Sequence, residues 1–193
     1  GTPFLLGSLA KPFTAAAVLQ LVDAGEVALD DPVAAHLPGF RAADPDPITI
    51  GQLLRHESGL SPAAGLDATH DPALTLPDRV AGAEHAERTA VGFAYSNLNY
   101  ALAAAVVERV TGRPYADHLA ESLLAPLGMR ATTADPDVAA DTARRGHLVA
   151  LGLPVPHLAE TPRAGAGDGY LVSTAADVAR FLRMLLDDGR APD

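Results

Sequence analysis

One stretch near the start of the chain decides how the rest of it is interpreted: residues 4–14, which read FLLGSLAKPFT. Lys11 is the single lysine among the 14 lysines and arginines of this 193-residue chain. A lysine amine can lose its proton inside a protein and act as a base, whereas an arginine stays protonated. Ser8 lies three residues earlier, and positions i and i+3 share one face of a helix. The spacing therefore makes Ser8 a candidate nucleophile and Lys11 a candidate base.

A simpler interpretation of the same two residues stays open. Serine is a common residue at the N-cap of a helix, where Ser8 would only complete backbone hydrogen bonds. Lys11 would then be a solvated charge on the surface. If a helix begins near Ser8, however, its free N–H groups and positive dipole end would also favour a developing oxyanion there. The spacing alone does not decide between a catalytic and a structural role.

A second group of polar residues lies in the middle of the chain, in the sequence FAYSNLNYA. Tyr95, Ser96 and Asn97 immediately precede the strongest helical pattern of this region. A phenol near Lys11 could exchange a proton with Ser8, and an asparagine amide can orient both groups and bind a substrate carbonyl. Alternatively, Ser96 or Asn97 is an N-cap and Tyr95 is a half-buried aromatic residue.

The spacing of apolar residues predicts a predominantly α-helical chain with few short strands. The predicted helices cover residues 8–24, 48–55, 77–82, 97–110, 114–125 and 174–188, with a further helical turn after Pro32. The best strand candidates are residues 4–7 and 169–172. Residues 61–92 are rich in proline, aspartate, glycine and alanine, which indicates a long surface excursion.

Composition and charge exclude several classes of function. A net charge of −10, with no basic cluster that contains aromatic residues, argues against nucleic acid as a partner. The chain has no cysteine, so thiolate metal sites, disulfides and cysteine nucleophiles are excluded. Its seven histidines lack the spacing of a zinc protease, and we predict no metal and no cofactor. No apolar run is long enough for a membrane segment within this chain.

Four blocks of sequence, in order, extend over nearly the whole chain. They are FLLGSLAKPFTAAAVLQLVDAGEVALDDPV, ITIGQLLRHESGL, FAYSNLNYALAAAVVERVTGRPY and GDGYLVSTAADVARFLRML. Together they resemble the serine β-lactamase and penicillin-binding-protein-like family, most closely its class C β-lactamase-related branch. That branch also contains D-alanyl-D-alanine carboxypeptidases and esterases. The resemblance implies an α/β fold of the β-lactamase/transpeptidase type, represented here mainly by its helical part.

The resemblance also implies a role for each residue singled out above. Ser8 would be the acylated nucleophile, and Lys11 would accept and return its proton. Tyr95 would be a second base that also activates the deacylating water, and Asn97 would bind and orient the substrate. A recurrent structural turn of the family, with no catalytic role, is matched by His56, Ser58 and Gly59.

One departure from the family pattern concerns the end of the sequence. The family completes its site with a late strand that carries a lysine or histidine and a glycine, and no such strand follows here. We therefore expect residues 1–193 to be a single partial domain that lacks the N-terminal strands and the C-terminal closing strands. Apolar faces that should pack on a sheet would then be exposed, which predicts weak stability or self-association of the isolated chain.

The expected function is that of a serine hydrolase that forms an acyl-enzyme on a β-lactam, a D-Ala-D-Ala-type peptide or an ester. Its expected partner is accordingly a small-molecule or peptide substrate. Loops form the pocket walls in such enzymes, so the resemblance implies that residues 61–92 and 144–169 form them here. The resemblance implies a secreted, periplasmic or cell-envelope location, with no signal segment in this sequence. The alternative is a non-catalytic binding or assembly module, or an inactive fragment of this fold.

Overall fold

Helices make up most of the regular secondary structure among the described residues. The computed structural model describes residues 1–38, 40, 46–62, 74–83, 86–89, 91–144, 146–157 and 167–190. The helices are α1 (Lys11–Asp23), α2 (Val33–His36), α3 (Ile50–Leu54), α4 (Leu76–Gly82), α5 (Asn97–Thr111), α6 (Tyr115–Leu119), α7 (Pro136–Thr142) and α8 (Ala175–Leu186). A 3₁₀ turn, Gly7–Ala10, precedes α1, and a π-helical turn, Ala120–Leu124, continues α6. Of these helices, α7 alone was not predicted from the sequence.

The centre of the core is α5. All ten residues from Leu98 to Val107 are buried, and they lie on every side of the helix. A helix that is surrounded by protein in this way belongs to the interior of a domain. It packs against α1, α2, α3, α4 and α6. This packing fixes the start of α5 relative to the start of α1, where the two predicted groups of functional residues lie.

An aromatic pair anchors the first turn of α1. Phe13 and Phe181 stack with their ring centroids 3.8 Å apart and an interplanar angle of 18°, and both side chains are buried. Phe181 belongs to α8, whose other face exposes Leu182, Leu185 and Leu186. These leucines are an apolar face of the kind expected above. Weak stability and self-association of the chain stay predictions.

The described strands form two antiparallel pairs. In the first, β1 (Phe4–Leu5) pairs with the last strand, Val172–Ser173. The Leu6 backbone N–H donates to the Leu171 carbonyl at 2.8 Å and extends this pairing. Both strands overlap the two strand candidates, although the second begins later than predicted. The pairing places residues 167–171 beside the 3₁₀ turn that carries Ser8.

The second pair is a hairpin that the sequence analysis did not predict. It consists of β2 (Gly146–Ala150) and β3 (Leu153–His157), so that the strand Val172–Ser173 is β4. Its turn residues Leu151 and Gly152 have φ angles of 52° and 79°, and positive values at both central positions are typical of two-residue hairpins. Prolines within β3 lack backbone donors and weaken its strand signal.

The two regions expected to form pocket walls are described only in part. Residues 63–73, 84, 85 and 90 of the excursion lie outside the described residues, as do residues 145 and 158–166 of the second region. The described remainder contains α4 and the hairpin. The short helix predicted at residues 77–82 is therefore confirmed as α4, whereas the hairpin replaces part of a predicted loop.

A complete capping box begins α3. Thr49 Oγ1 accepts from the Gln52 backbone N–H at 3.2 Å, and Gln52 Oε1 accepts from the Thr49 backbone N–H at 3.0 Å. Thr49→Ala removes the first bond and is expected to lower the free energy of unfolding by about 1 kcal/mol. Chemical denaturation measures the change, with Thr49→Ser as the control that keeps the hydroxyl. Equal losses in both variants would contradict a capping role.

Candidate active site

Ser8 lies in the 3₁₀ turn before α1, with its side chain exposed to solvent. Its Oγ is 3.2 Å from Lys11 Nζ and 2.7 Å from the Tyr95 hydroxyl. Lys11 begins α1, and Tyr95 lies just before α5, 87 residues further along the chain than Ser8. The fold thus brings together the three residues for which a catalytic role was predicted.

The structural interpretation of Ser8 as an N-cap and of Lys11 as a solvated surface charge is wrong. Ser8 is the N-cap neither of the 3₁₀ turn nor of α1. Lys11 is only 4% exposed, so its ammonium is not a solvated surface charge. Ser96 does occupy the N-cap position of α5, but its hydroxyl donates to the Ser61 carbonyl and makes no capping bond. These side chains are therefore available for contacts other than helix capping.

Three acceptors surround the Lys11 ammonium. Besides its contact with Ser8 Oγ, it donates to Asn97 Oδ1 at 2.9 Å and to the Asp168 backbone carbonyl at 2.5 Å. An ammonium has three N–H groups, and these acceptors engage all of them. The neutral amine could keep two of these bonds and direct its lone pair at Ser8. The arrangement therefore suits a group that accepts and returns a proton.

The turn that contains His56 positions Tyr95. The two rings stack with centroids 4.5 Å apart and an interplanar angle of 29°, and the Ala94 backbone N–H donates to the His56 carbonyl at 2.7 Å. His56 Nδ1 also accepts from the Ser96 backbone N–H at 3.3 Å. Burial, with help from the Lys11 ammonium, lowers the pKa of His56. A neutral imidazole can remain the acceptor in this contact.

The rest of this turn contacts the scaffold. Ser58 Oγ donates to Asn99 Oδ1 at 2.6 Å and accepts from the Leu60 backbone N–H at 3.1 Å. Asn99 Nδ2 lies 3.1 Å from His56 Nδ1. Gly59 has a φ of 76°, which a glycine adopts without steric cost. These contacts join the turn to α5, as the structural role implied for His56, Ser58 and Gly59 requires.

Two tyrosines lie near the Lys11 ammonium, in different environments. Their ring centroids are 5.0 Å (Tyr95) and 5.8 Å (Tyr100) from Nζ. The Tyr100 hydroxyl donates a hydrogen bond to the Leu54 carbonyl oxygen at 3.0 Å, and burial raises the pKa of this phenol. Tyr95 is 41% exposed and directs its hydroxyl at Ser8. Tyr95 is therefore the phenol that can exchange protons both with Ser8 and with solvent.

Two charged residues beside the site were missed by the sequence analysis. Arg79 Nη2 lies 2.9 Å from Asp168 Oδ2, and the side chains are 0% and 2% exposed. A signal for Arg79 was present, because it shares one face of α4 with the buried residues Leu76 and Val80. An arginine on a buried face needs an anionic partner. Which of the many acidic residues would be that partner could not be read from the sequence.

The functional groups that converge here are a hydroxyl, an amine, a phenol and an amide. Within the described ranges, no group of three or more histidine, aspartate or glutamate side chains could hold a metal ion. Among the same residues, no helix is both long and apolar enough to cross a membrane.

Comparisons with known proteins cover the whole chain. The family model described as Beta-lactamase matches residues 1–193. The chain belongs to the Beta-lactamase family. Its fold is of the β-lactamase/transpeptidase type, here mainly helical with few short strands. The fold class predicted from the sequence is thus confirmed.

Named relatives of this Beta-lactamase family chain include two proteins and one solved structure. It is 39% identical to Penicillin-binding protein 4 of Amycolatopsis lactamdurans, over 98% of this chain and 52% of that protein. It is 30% identical to the D-alanyl-D-alanine-carboxypeptidase/endopeptidase AmpH of Escherichia coli (strain K12), over 94% of this chain and 48% of that protein. The structure of the D-amino acid amidase from Ochrobactrum anthropi SV3 superposes on this chain with a TM-score of 0.80 at 30% identity. The match covers 97% of this chain and 56% of the amidase chain. The chain spans about half the length of the relatives it matches.

Proposed function

We propose that this chain carries the nucleophile of a serine hydrolase that works through an acyl-enzyme. The supporting observation is the convergence of two proton-transfer groups on one exposed hydroxyl: Lys11 Nζ and the Tyr95 hydroxyl both lie within hydrogen-bonding distance of Ser8 Oγ. A serine hydroxyl is a weak nucleophile unless a neighbouring base takes its proton. The relatives named as a carboxypeptidase and an amidase support a hydrolase role.

In the acylation step, Ser8 Oγ attacks the carbonyl carbon of an amide or ester while its proton passes to the neutral amine of Lys11. The tetrahedral intermediate then collapses and breaks the bond to the leaving group. The leaving group takes the proton from the Lys11 ammonium, directly or by way of the Tyr95 phenol. The products of this step are the protonated leaving group and an ester between Ser8 and the acyl group.

In the deacylation step, Tyr95 and Lys11 remove a proton from a water molecule, which attacks the ester carbonyl. The bond to Ser8 Oγ breaks, and the serine recovers its proton from the same two groups. The partial exposure of Tyr95 suits this step, because the water must reach the ester from solvent. Asn97 holds the Lys11 ammonium through Oδ1 and is proposed to orient the substrate carbonyl through its amide N–H groups.

The proposed substrates are a β-lactam, a D-Ala-D-Ala-type peptide or an ester. The enzyme is proposed to belong to the class C β-lactamase-related branch of the family. The printed names of the relatives favour carbonyl groups of D-amino acid derivatives, since they include a D-alanyl-D-alanine-carboxypeptidase and a D-amino acid amidase. The same proposal puts the protein in a secreted, periplasmic or cell-envelope location, where D-Ala-D-Ala peptides are accessible.

The test is to locate a covalent adduct. The natural full-length chain is incubated with a fluorescent penicillin, digested and analysed by mass spectrometry. We expect one modified peptide, with the adduct on Ser8, and competition by unlabelled penicillin; heat-denatured protein is the control for non-specific labelling. An adduct on another residue would contradict the proposed nucleophile. No adduct and no turnover with penicillin, a D-Ala-D-Ala peptide or an activated ester would favour a non-catalytic binding module.

A further inference from the structure

Two side chains of α1 bind consecutive carbonyls of one loop. Lys11 Nζ donates to the Asp168 carbonyl at 2.5 Å, and Thr14 Oγ1 donates to the Gly167 carbonyl at 2.6 Å. Lys11 and Thr14 are one helical turn apart and so lie on the same face of α1. Neighbouring carbonyls of an extended chain point to opposite sides, whereas residues 167–169 form a turn. The turn therefore directs both carbonyls at α1.

The direction of each hydrogen bond at Thr14 follows from its single hydroxyl proton. A threonine hydroxyl donates once and can accept in addition, whereas a carbonyl oxygen only accepts. The proton of Thr14 therefore goes to the Gly167 carbonyl. The Tyr115 hydroxyl lies 2.7 Å from Thr14 Oγ1, so it must be the donor in that contact. Burial raises the pKa of Tyr115, so the phenol keeps the proton that this bond requires.

This pair of hydroxyls holds the loop and does not conduct protons. The sequence of bonds ends at the Gly167 carbonyl, which has no proton to pass on to Lys11. Thr14 and Tyr115 are 0% and 2% exposed, so both belong to the interior. A threonine inside a helix commonly donates to the carbonyl one turn earlier. Thr14 instead donates to a residue 153 positions away in the sequence, so its bond connects two distant parts of the fold.

The same loop also packs closely on α5. A Cβ atom at Gly167 would overlap with the Ala104 Cβ and with the Tyr100 carbonyl oxygen. Gly167 is thus fixed by a close approach to one helix and by a hydrogen bond from another. Because Asp168 is the next residue, the position of Gly167 limits where the Asp168 carbonyl can lie. A hydroxyl that holds Gly167 therefore also influences the surroundings of the Lys11 ammonium.

We propose that Thr14 is a positioning residue for Lys11: its hydroxyl fixes the turn at residues 167–169 on α1, which keeps the Asp168 carbonyl against the ammonium. The inference rests on the proposed function, in which Lys11 takes the proton of Ser8. Thr14 acts through the loop and contacts no reacting atom. Its loss should therefore slow proton transfer and leave the binding of substrate unchanged.

The test compares Thr14→Val with Thr14→Ser in the natural full-length chain. Valine keeps the shape of the side chain and removes the hydroxyl, so the Gly167 carbonyl loses its bond to α1. The maximal rate of acylation by fluorescent penicillin should fall about tenfold in Thr14→Val because the loop can shift. The penicillin concentration that gives half of this rate should stay the same. Thr14→Ser restores the hydroxyl and should recover the rate.

The matched control is Tyr115→Phe, which removes the other hydrogen bond of Thr14 and leaves the bond to Gly167. Both Tyr115→Phe and Thr14→Val remove buried hydrogen bonds and should lower Tm by a few degrees. A slowing that comes only from reduced stability would appear in both variants, and we expect it in Thr14→Val alone. If Thr14→Val does not fold, Thr14→Cys takes its place, with a slowing of about threefold because a thiol is a weak donor.

A second measurement follows Lys11 without any substrate. Lys11 is the single lysine of these 193 residues, and its Cε resonance in protein labelled with ¹³C-lysine is assigned by its loss in Lys11→Arg. This resonance should move in Thr14→Val, because an acceptor of the ammonium moves. It should return in Thr14→Ser and keep its position in Tyr115→Phe.

A full acylation rate or an unmoved Lys11 resonance in Thr14→Val would overturn the inference. Other contacts of the loop, such as that of Asp168 with Arg79, would then be enough to hold the carbonyl. Equal slowing in Tyr115→Phe would overturn it as well, because the effect would not depend on the bond to Gly167. If the unsubstituted protein is not acylated at all, the proposed function fails. The Lys11 resonance then still decides whether Thr14 positions Lys11.

Discussion

Lys11→Met is expected to slow the acylation of Ser8 about 10³-fold, within the range for loss of a general base. The reason is geometric: Lys11 Nζ is 3.2 Å from Ser8 Oγ and is held there by Asn97 Oδ1 and the Asp168 carbonyl. Without the amine, the Tyr95 phenol is the one proton-transfer group among the described residues that still contacts this hydroxyl. The measurement is the time course of labelling by fluorescent penicillin, with the natural full-length chain.

The matched control is Lys11→Arg, which keeps a positive charge. A guanidinium stays protonated at any working pH, so this variant should lose nearly as much activity as Lys11→Met. Near-normal acylation in Lys11→Arg would show that the site needs only a cation, and a base role for Lys11 would be wrong. Both substitutions alter buried hydrogen bonds, so thermal unfolding must show that each variant is folded at the assay temperature.

The main helices could be predicted from the sequence because local signals agree with the packing. The apolar spacing in α1 and α5 is sustained over three or more turns, and Gly25 and Gly112 end these helices with positive φ angles. The hairpin at residues 146–157 could not be predicted in the same way. Its prolines weaken the strand signal, and its stability depends on cross-strand pairing that a local pattern does not contain.

In the candidate site, too, the residues with a local sequence signal could be predicted, and those that depend on a tertiary contact could not. The spacing of Ser8 and Lys11 is local, and Tyr95 and Asn97 stand out because they precede a strong helical pattern. The resemblance to a family linked the two groups. Arg79 and Asp168 were missed because they are 89 residues apart, and their contact exists only after α4 has packed on α5. The identity of the buried anion is thus a property of the tertiary structure. No periodicity in the sequence encodes it.

Gly167→Ala is expected to disturb both the stability and the activity of the protein. A Cβ atom at this position would lie 2.5 Å from the Ala104 Cβ and 2.8 Å from the Tyr100 carbonyl oxygen, both on α5. Contacts this short force the loop away from the helix, and overpacking of this kind costs about 1–3 kcal/mol of the free energy of unfolding. Chemical denaturation measures that loss.

The loss of activity follows from the next residue in the loop. Displacing Gly167 also displaces the Asp168 carbonyl, which accepts from Lys11 Nζ. A misplacement of about 1 Å at a catalytic group can cost on the order of 100-fold in rate, and we expect acylation of Ser8 to slow by about that factor. The readout is labelling by fluorescent penicillin under conditions where the variant is fully folded.

Gly169→Ala is the matched control, two residues further along the same loop. Among the residues that the structure describes, a Cβ atom there would meet only Gly7, at 3.8 Å or more, which is ordinary van der Waals contact. The same chemical change should therefore leave stability and acylation nearly unaffected. Equal effects in the two variants would mean that the loop responds to any added methyl group. The close approach of Gly167 to α5 would then not be what places the Asp168 carbonyl on Lys11.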